Sequence, residues 1–275
     1  MARLEALSNV GVFTRNLKKA KEFYVRKVGL KVREQYPKWG YLALGPTKKG
    51  KDADLNIWQP TKEMWGKDYE EAIGQVGQVT GVGFRTGNID KTVETLRARN
   101  VKVDWMGDEG EGRMASILDP DGNSFFVSGP SKSGGRKPGL ASLDFVTIVT
   151  KDSKKAGEFF TKKLGMRRGD SFGEGLVDYR LNPRGTAIVP FKPTKDMYEN
   201  VAEYAEDLAH IGENTSIMFE TKHIRDVQKT LLSKGVKFGR KAEHASWGGM
   251  EAEFYDLDKN IYTIMQPSSV TKREE

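Results

Sequence analysis

The 275 residues include no cysteine. That removes disulfides, zinc–thiolate and iron–sulfur sites, and any thiol nucleophile from the chemistry open to the chain. Histidine is almost as scarce: His210, His223 and His244 all fall in the last quarter, so a two-histidine metal site in the first half is excluded. No apolar run approaches the ~20 residues that cross a bilayer, and Met1 to Val10 lacks the apolar stretch of a secretion signal. The expectation is a soluble, cytoplasmic protein with no membrane partner. A one-signed charge pattern is missing too. Lys and Arg total 45 against 38 Asp and Glu, a net +7, but both signs are interleaved and no basic stripe forms, so nucleic acid is not an expected partner.

What the sequence does have is a repeat. Asn9 and Val10, Ala20, Glu22 and Phe23, and Gly29 recur as Phe145 and Val146, Ala156, Glu158 and Phe159, and Gly165, a constant offset of 136 (145 − 9). Pro60-Thr61-Lys62 recurs as Pro193-Thr194-Lys195, and Asp119, Asp121 and Asn123 recur as Asp256, Asp258 and Asn260. The length also suggests two domains. The spacing predicts domains over 1–130 and 140–270, each able to fold alone, joined by a Gly/Ser/Pro linker over 131–139 with no apolar anchor.

Each half repeats a smaller pattern. An apolar strand such as Val10 to Phe13 precedes a helix with Leu17, Ala20, Phe23, Tyr24 and Val28 on one face and Gly29 as its stop. Three short strands follow, predicted at Lys31 to Glu34, Trp39 to Leu44 and Asp54 to Trp58 in the first quarter. The unit is β-α-β-β-β, four times over. A charged segment links the paired units, with Met64 and Trp65, and Met197 and Tyr198, at matching positions as expected flaps.

The opening Val10-Gly11-Val12-Phe13-Thr14-Arg15-Asn16-Leu17 with Phe23-Tyr24 and Gly29-Leu30, and Asp119-Pro120-Asp121-Gly122-Asn123 before a closing strand, resemble the vicinal oxygen chelate superfamily of glyoxalases, bleomycin-resistance proteins and dioxygenases. The resemblance runs from Leu7 to Pro267. It implies an α+β fold of four βαβββ modules forming two glyoxalase-like domains, each with curled mixed sheets around a cavity. It is poor for the reaction, because one fold hosts many activities. Its enzymes usually bind a divalent metal at four positions per cavity. Here those positions hold Asn9, Asn56, Gly81 and Phe126 in the first half, and Phe145, Val189, Ser216 and Thr263 in the second. Divalent metals of such sites want imidazole and carboxylate, so no metal and no cofactor is expected.

Strand alternation gives the inward set. Asn9 and Phe13, Trp39 and Tyr41, Asn56 and Trp58, and Phe126 are expected to face the first cavity: rings beside neutral amides, suited to a flat organic ligand. Phe145, Arg180, Phe191 and Trp247 are the corresponding ligand-binding candidates in the second half. Asp178, Glu220 and His244 are the catalytic candidates there, if any reaction is catalysed, although an ion pair between Asp178 and Arg180 is the plainer expectation. The composite expectation is a metal-free protein that binds or sequesters a small organic, aromatic or antibiotic-like molecule, as a monomer or homodimer. The alternative is a glyoxalase-like lyase or isomerase, or another enzyme working without the usual metal, that uses those acid/base residues. A filled, degenerate cavity is the blandest outcome.

Overall fold

The computed structural model describes residues 3–274 except 110, 111, 131–136, 173–175, 199 and 214; six residues of the expected linker thus lie outside the described residues. Every quarter builds the expected unit. The first holds β1 (Ala6–Phe13), a helix Leu17–Glu22 that widens through Phe23–Val28, β2 (Lys31–Tyr36), β3 (Tyr41–Gly45) and β4 (Asp54–Trp58). The second holds β5 (Val79–Thr86), the helix Ile89–Ala98, β6 (Lys102–Glu109), β7 (Gly112–Leu118) and β8 (Ser124–Gly129). In the third are β9 (Leu140–Val149), the helix Ser153–Glu158 continued by Phe159–Lys163, β10 (Arg167–Phe172), β11 (Leu176–Arg180) and β12 (Ala187–Phe191). The fourth has β13 (Ser216–Glu220), the helix Ile224–Ser233, β14 (Lys237–His244), β15 (Met250–Tyr255) and β16 (Ile261–Gln266).

Local chemistry explains the helix ends. Asn16, Asn88 and Asp152 accept the backbone N–H three residues on, at 2.9, 3.2 and 3.0 Å, satisfying a donor that the first turn leaves orphaned. Gly29, at φ 94°, ends the first helix in the left-handed conformation that glycine adopts at little cost.

The strands form two open, mixed, eight-stranded sheets, ordered β14-β15-β16-β13-β1-β4-β3-β2 and β10-β11-β12-β9-β5-β8-β7-β6. β5 runs parallel to β8 and β13 parallel to β16, while the hairpins within each quarter are antiparallel. Contact density divides the chain into two compact units, one Val10–Val146 and the other Met1–Asn9 with Thr147–Glu275. Residues 3–9 are accordingly tied to the fourth quarter. Glu5 N donates to Glu220 O at 2.8 Å, Ser8 Oγ to Met218 O at 3.1 Å, and Thr221 Oγ1 to Arg3 O at 2.9 Å.

The repeated Asp-x-Asp-x-Asn turn is a buried latch. Asp119, 7% exposed, accepts from the backbone of Asp121 and Asn123, from Asn123 Nδ2 (each 2.9 Å) and from the Tyr24 hydroxyl at 2.7 Å. Asn123 Nδ2 also donates to Phe13 O at 3.0 Å, and Thr14 Oγ1 donates to Asp121, so the turn clasps the end of β1. In the other unit Asp256 accepts from Asp258 N, Asn260 N, Asn260 Nδ2 and the Tyr262 hydroxyl at 2.9, 3.0, 2.8 and 3.1 Å. The two latches draw their hydroxyl from different elements. Tyr24, on a helix, packs edge-on to Phe125, on β8, at 5.7 Å; in the repeat the helix carries Phe160 and the strand carries Tyr262, at 6.3 Å. Each ring pair keeps one hydroxyl for the aspartate of its latch.

Tyr24→Phe is therefore expected to cost ~1–2 kcal/mol, because one donor to a buried carboxylate is lost. Tyr24→Phe combined with Phe125→Tyr should recover most of that, since it copies the arrangement of the repeat. Urea unfolding of the two variants checks this, and a double variant no more stable than the single one would contradict it.

Candidate functional site

β2, β3 and β4 carry two residue rows across one sheet face. Tyr36 lies opposite Tyr41 and Tyr41 opposite Trp58; Glu34 lies opposite Ala43 and Ala43 opposite Asn56. The intervening residues Leu42, Leu44, Leu55 and Ile57, at most 1% exposed, point to the other face and form core. Trp39 joins the ring row from a tight helical turn, Pro37–Trp39, rather than from the predicted strand. Pro37 suits the first position of that turn, and Gly40 leaves it at φ 60°, so the strand starts at Tyr41. A Cβ on Gly40 would come 2.4 Å from Gln59 O, which keeps the position glycine.

The rings form a continuous series. Tyr36 lies 5.5 Å from Trp39 and 5.9 Å from Tyr41, Tyr41 is 4.5 Å from Trp58, Trp58 is 6.2 Å from Trp65, and Trp65 is 5.2 Å from Phe13. Trp65 ends the short helix Lys62–Trp65, capped by Thr61, and packs with Trp58 and Ile73 on Phe13, Ala72 and Val76. The linking segment thus covers the ring row through Trp65, while Met64 stays exposed. Exposure falls from 50% at Trp39 to 8% at Phe13, so the series leads from solvent into the unit.

Polar groups border the rings. The Tyr41 hydroxyl donates to Asn56 Oδ1 at 3.3 Å, and the Asn56 amide nitrogen has no partner among the described residues although Asn56 is only 4% exposed. The Tyr36 hydroxyl donates to Glu34 at 2.6 Å. Past Asn56, a bulge in β2 lets Arg33 reach Asp52 at 2.9 Å, Asp54 at 2.5 Å and the carbonyl of Thr47 at 2.9 Å. Its guanidinium crosses Gly45, where a Cβ would come 2.3 Å from Arg33 Cζ. Burial pushes the Asp54 carboxyl above its ordinary range, against the pull of Arg33. Burial raises the Tyr41 hydroxyl, helped by Glu34 and Asp54, and the bond to Glu34 raises that of Tyr36. Both phenols therefore stay protonated at neutral pH and act as donors. Glu34, Tyr36 and Asp54 escaped the sequence reading, because it followed only the faces fixed by the metal positions and not the register of β2 against β3.

The other candidates are distributed differently. Phe126 lies on the second sheet, opposite Gly83 and Ser116, and Gly83 is also opposite Phe145. A Cβ on Gly83 would come 2.1 Å from the Phe145 ring, which rests on that glycine; Gly83, not Gly81, is thus the residue in register with both phenylalanines. Asn9 is half-buried on β1, its amide donating to Ser8 Oγ and Met218 Sδ, each at 3.3 Å. Arg180 pairs with Asp178 at 2.7 Å and donates to Gly185 O at 2.6 Å. Glu220 is on β13 of the other sheet, opposite Met265, and His244 is exposed at the end of β14, opposite Met250. Trp247 lies over Gly249 and donates to Glu251 at 2.7 Å, and Phe191 is half-buried at the end of β12, its carbonyl accepting from Thr150 N at 2.8 Å.

The model of the Glyoxalase/Bleomycin resistance protein/Dioxygenase superfamily matches residues 6–127 and 142–262. The chain belongs to that superfamily. Among superfamily structures, glyoxalase I from Zea mays has 15% identity and a TM-score of 0.66, covering 100% of this chain and 95% of that one. A putative dioxygenase from Bacillus subtilis has 14% identity and a TM-score of 0.65 over 97% and 86%. An antibiotic-binding protein, TnmS3 from Streptomyces sp. CB03234, has 27% identity over 48% of this chain and 98% of its own, with a TM-score of 0.37. No curated protein sequence matches. The first two likenesses show the fold alone. The residues that the resemblance assigns to the metal positions offer amide, hydroxyl, glycine and hydrocarbon in place of the imidazole and carboxylate that a divalent cation favours. Among the described residues no group of three or more His, Cys, Asp or Glu side chains gathers to hold one.

Proposed function

We propose that this superfamily member binds a small, flat aromatic molecule on the face of β2, β3 and β4, without a divalent metal and without a chemical step. The observation that carries the reading is the ring series from Trp39 to Phe13, bordered by the unpartnered Asn56 amide. Large rings supply stacking area at low entropic cost, and a few fixed polar groups orient the guest. The enzymatic alternative has less support. Asp178 is engaged with Arg180, and His244 stands exposed at a strand end.

Titrating the full chain with the neutral three-ring compound anthracenemethanol, by tryptophan quenching or calorimetry, tests the reading. Trp58→Ala and Asn56→Leu are each expected to weaken binding at least tenfold, equivalent to ~1.4 kcal/mol. Phe191→Ala, on β12, should leave it unchanged, and a chelator should too. Equal loss from Phe191→Ala, or loss of binding on chelation with recovery on adding zinc, would overturn the reading.

A further inference from the structure

We propose that this aromatic face selects planar aromatic cations over neutral or anionic molecules of the same shape, through the carboxylates of Glu34 and Asp54. The inference rests on the aromatic-binding reading and adds a charge requirement to it.

Residues on one face of a strand recur every second position, about 7 Å apart. The ring row Tyr36, Tyr41 and Trp58 is followed by the row Glu34, Ala43 and Asn56, and beyond it come Lys31 opposite Gly45, Asp54 and the crossing Arg33. A guest stacked on the first row therefore meets a carboxylate one row away. Three carboxylates, Glu34, Asp52 and Asp54, stand against the two cations Arg33 and Lys31, which leaves one negative charge in excess, and Arg33 is taken up by Asp52 and Asp54. The Glu34 carboxylate is bonded only to the neutral Tyr36 hydroxyl, and the Asp54 carboxylate gives one oxygen to Arg33 and keeps the other unpartnered among the described residues. A cationic ring system gains twice here: it lies over the faces of Trp and Tyr, and its charge sits in reach of a carboxylate that lacks a counter-ion. An anionic one meets the same uncompensated charge with the opposite sign. The free Asn56 amide adds a donor for a ring nitrogen or carbonyl of the guest. Neutral amides beside rings are what the strand pattern alone predicts at this face; the register adds the acids.

The test compares three probes of one shape on the full-length protein: proflavine as the cation, anthracenemethanol as the neutral molecule and anthracenecarboxylate as the anion. Proflavine is expected to bind at least tenfold more tightly than anthracenemethanol, and the carboxylate more weakly than either. Glu34 is exposed, so Glu34→Gln spares folding; it should lower proflavine affinity at least fivefold relative to anthracenemethanol affinity. Added salt should weaken proflavine alone. Equal affinities for the cation and the neutral probe, or a Glu34→Gln variant that binds proflavine as before, would overturn charge selection while the aromatic site stands. If Trp58→Ala alters the binding of none of the three, the aromatic site itself falls and charge selection with it.

Discussion

A fragment of residues 140–275 is expected to lack a cooperative thermal transition until a peptide of residues 1–13 is added, and then to gain one. Residues 3–9 pack with the fourth quarter rather than with the half of the sequence that carries them. They bring backbone and side-chain bonds to Glu220, Met218 and Thr221, an ion pair of Glu5 with Lys222 at 3.7 Å, and the side chains of Leu4 and Leu7, 3% and 4% exposed. Burying two leucines is worth ~1.5–3 kcal/mol each, a large share of the 5–15 kcal/mol that holds a typical domain folded. Their removal also leaves β13 with an unpaired edge open to aggregation. Circular dichroism with and without the peptide gives the answer. A sharp transition in the bare fragment, unmoved by the peptide, would return the boundary to 131–139 that the repeat offset suggests.

The second large effect is at the latch. Asp119→Ala should destabilise the protein by ~3–5 kcal/mol, since it strands the Tyr24 hydroxyl, the Asn123 amide and two backbone donors in the interior. The loss also carries a pH signature. Burial raises the folded-state pKa of Asp119, against the pull of its donors. A group whose folded value lies above its unfolded one is protonated first in the folded state. Its contribution to stability is therefore greatest at low pH and declines as pH rises through the window between the two values. The gap between wild type and Asp119→Ala should narrow as pH rises through the window just above the ordinary carboxylate value. Chemical denaturation across that range checks both size and slope, and a loss under ~1 kcal/mol would show that the turn holds without the carboxylate.

How much of this was legible beforehand follows from which forces are local. The four βαβββ units could be read from the apolar periodicity and from turn residues such as Gly29 and Asp119-Pro120-Asp121-Gly122-Asn123, because alternation and capping act within a few residues. The nearness of Tyr41, Asn56 and Trp58 was legible too, since it needs only adjacent antiparallel strands. Which distant strands join was not. Nothing in Ala6 to Asn9 announces β13, and nothing in Leu140 to Val146 announces β5, for strand pairing between remote segments is set by the summed packing of both faces. The regrouping of Phe126 with Phe145 over Gly83 follows from that pairing. Glu34 was missed for a smaller reason: no metal position fixes a face on β2, and the bulge between Val32 and Glu34 leaves no reliable mark in a short polar strand from which its register against β3 could be read.

The single hydroxyl in each ring pair has a consequence for how the repeats can be recombined. Transplanting the helix of the third quarter into the first would bring Phe160 to face Phe125, leaving the buried aspartate of that unit without its phenol. The reciprocal transplant would crowd Tyr24 against Tyr262, two hydroxyls competing for one carboxylate. Helices and closing strands in this chain are therefore not interchangeable parts even where they hold matching places in the unit. They travel as matched sets, and a lineage that duplicated and then shuffled its modules could pass from one arrangement to the other only through an intermediate that breaks the latch or overfills it.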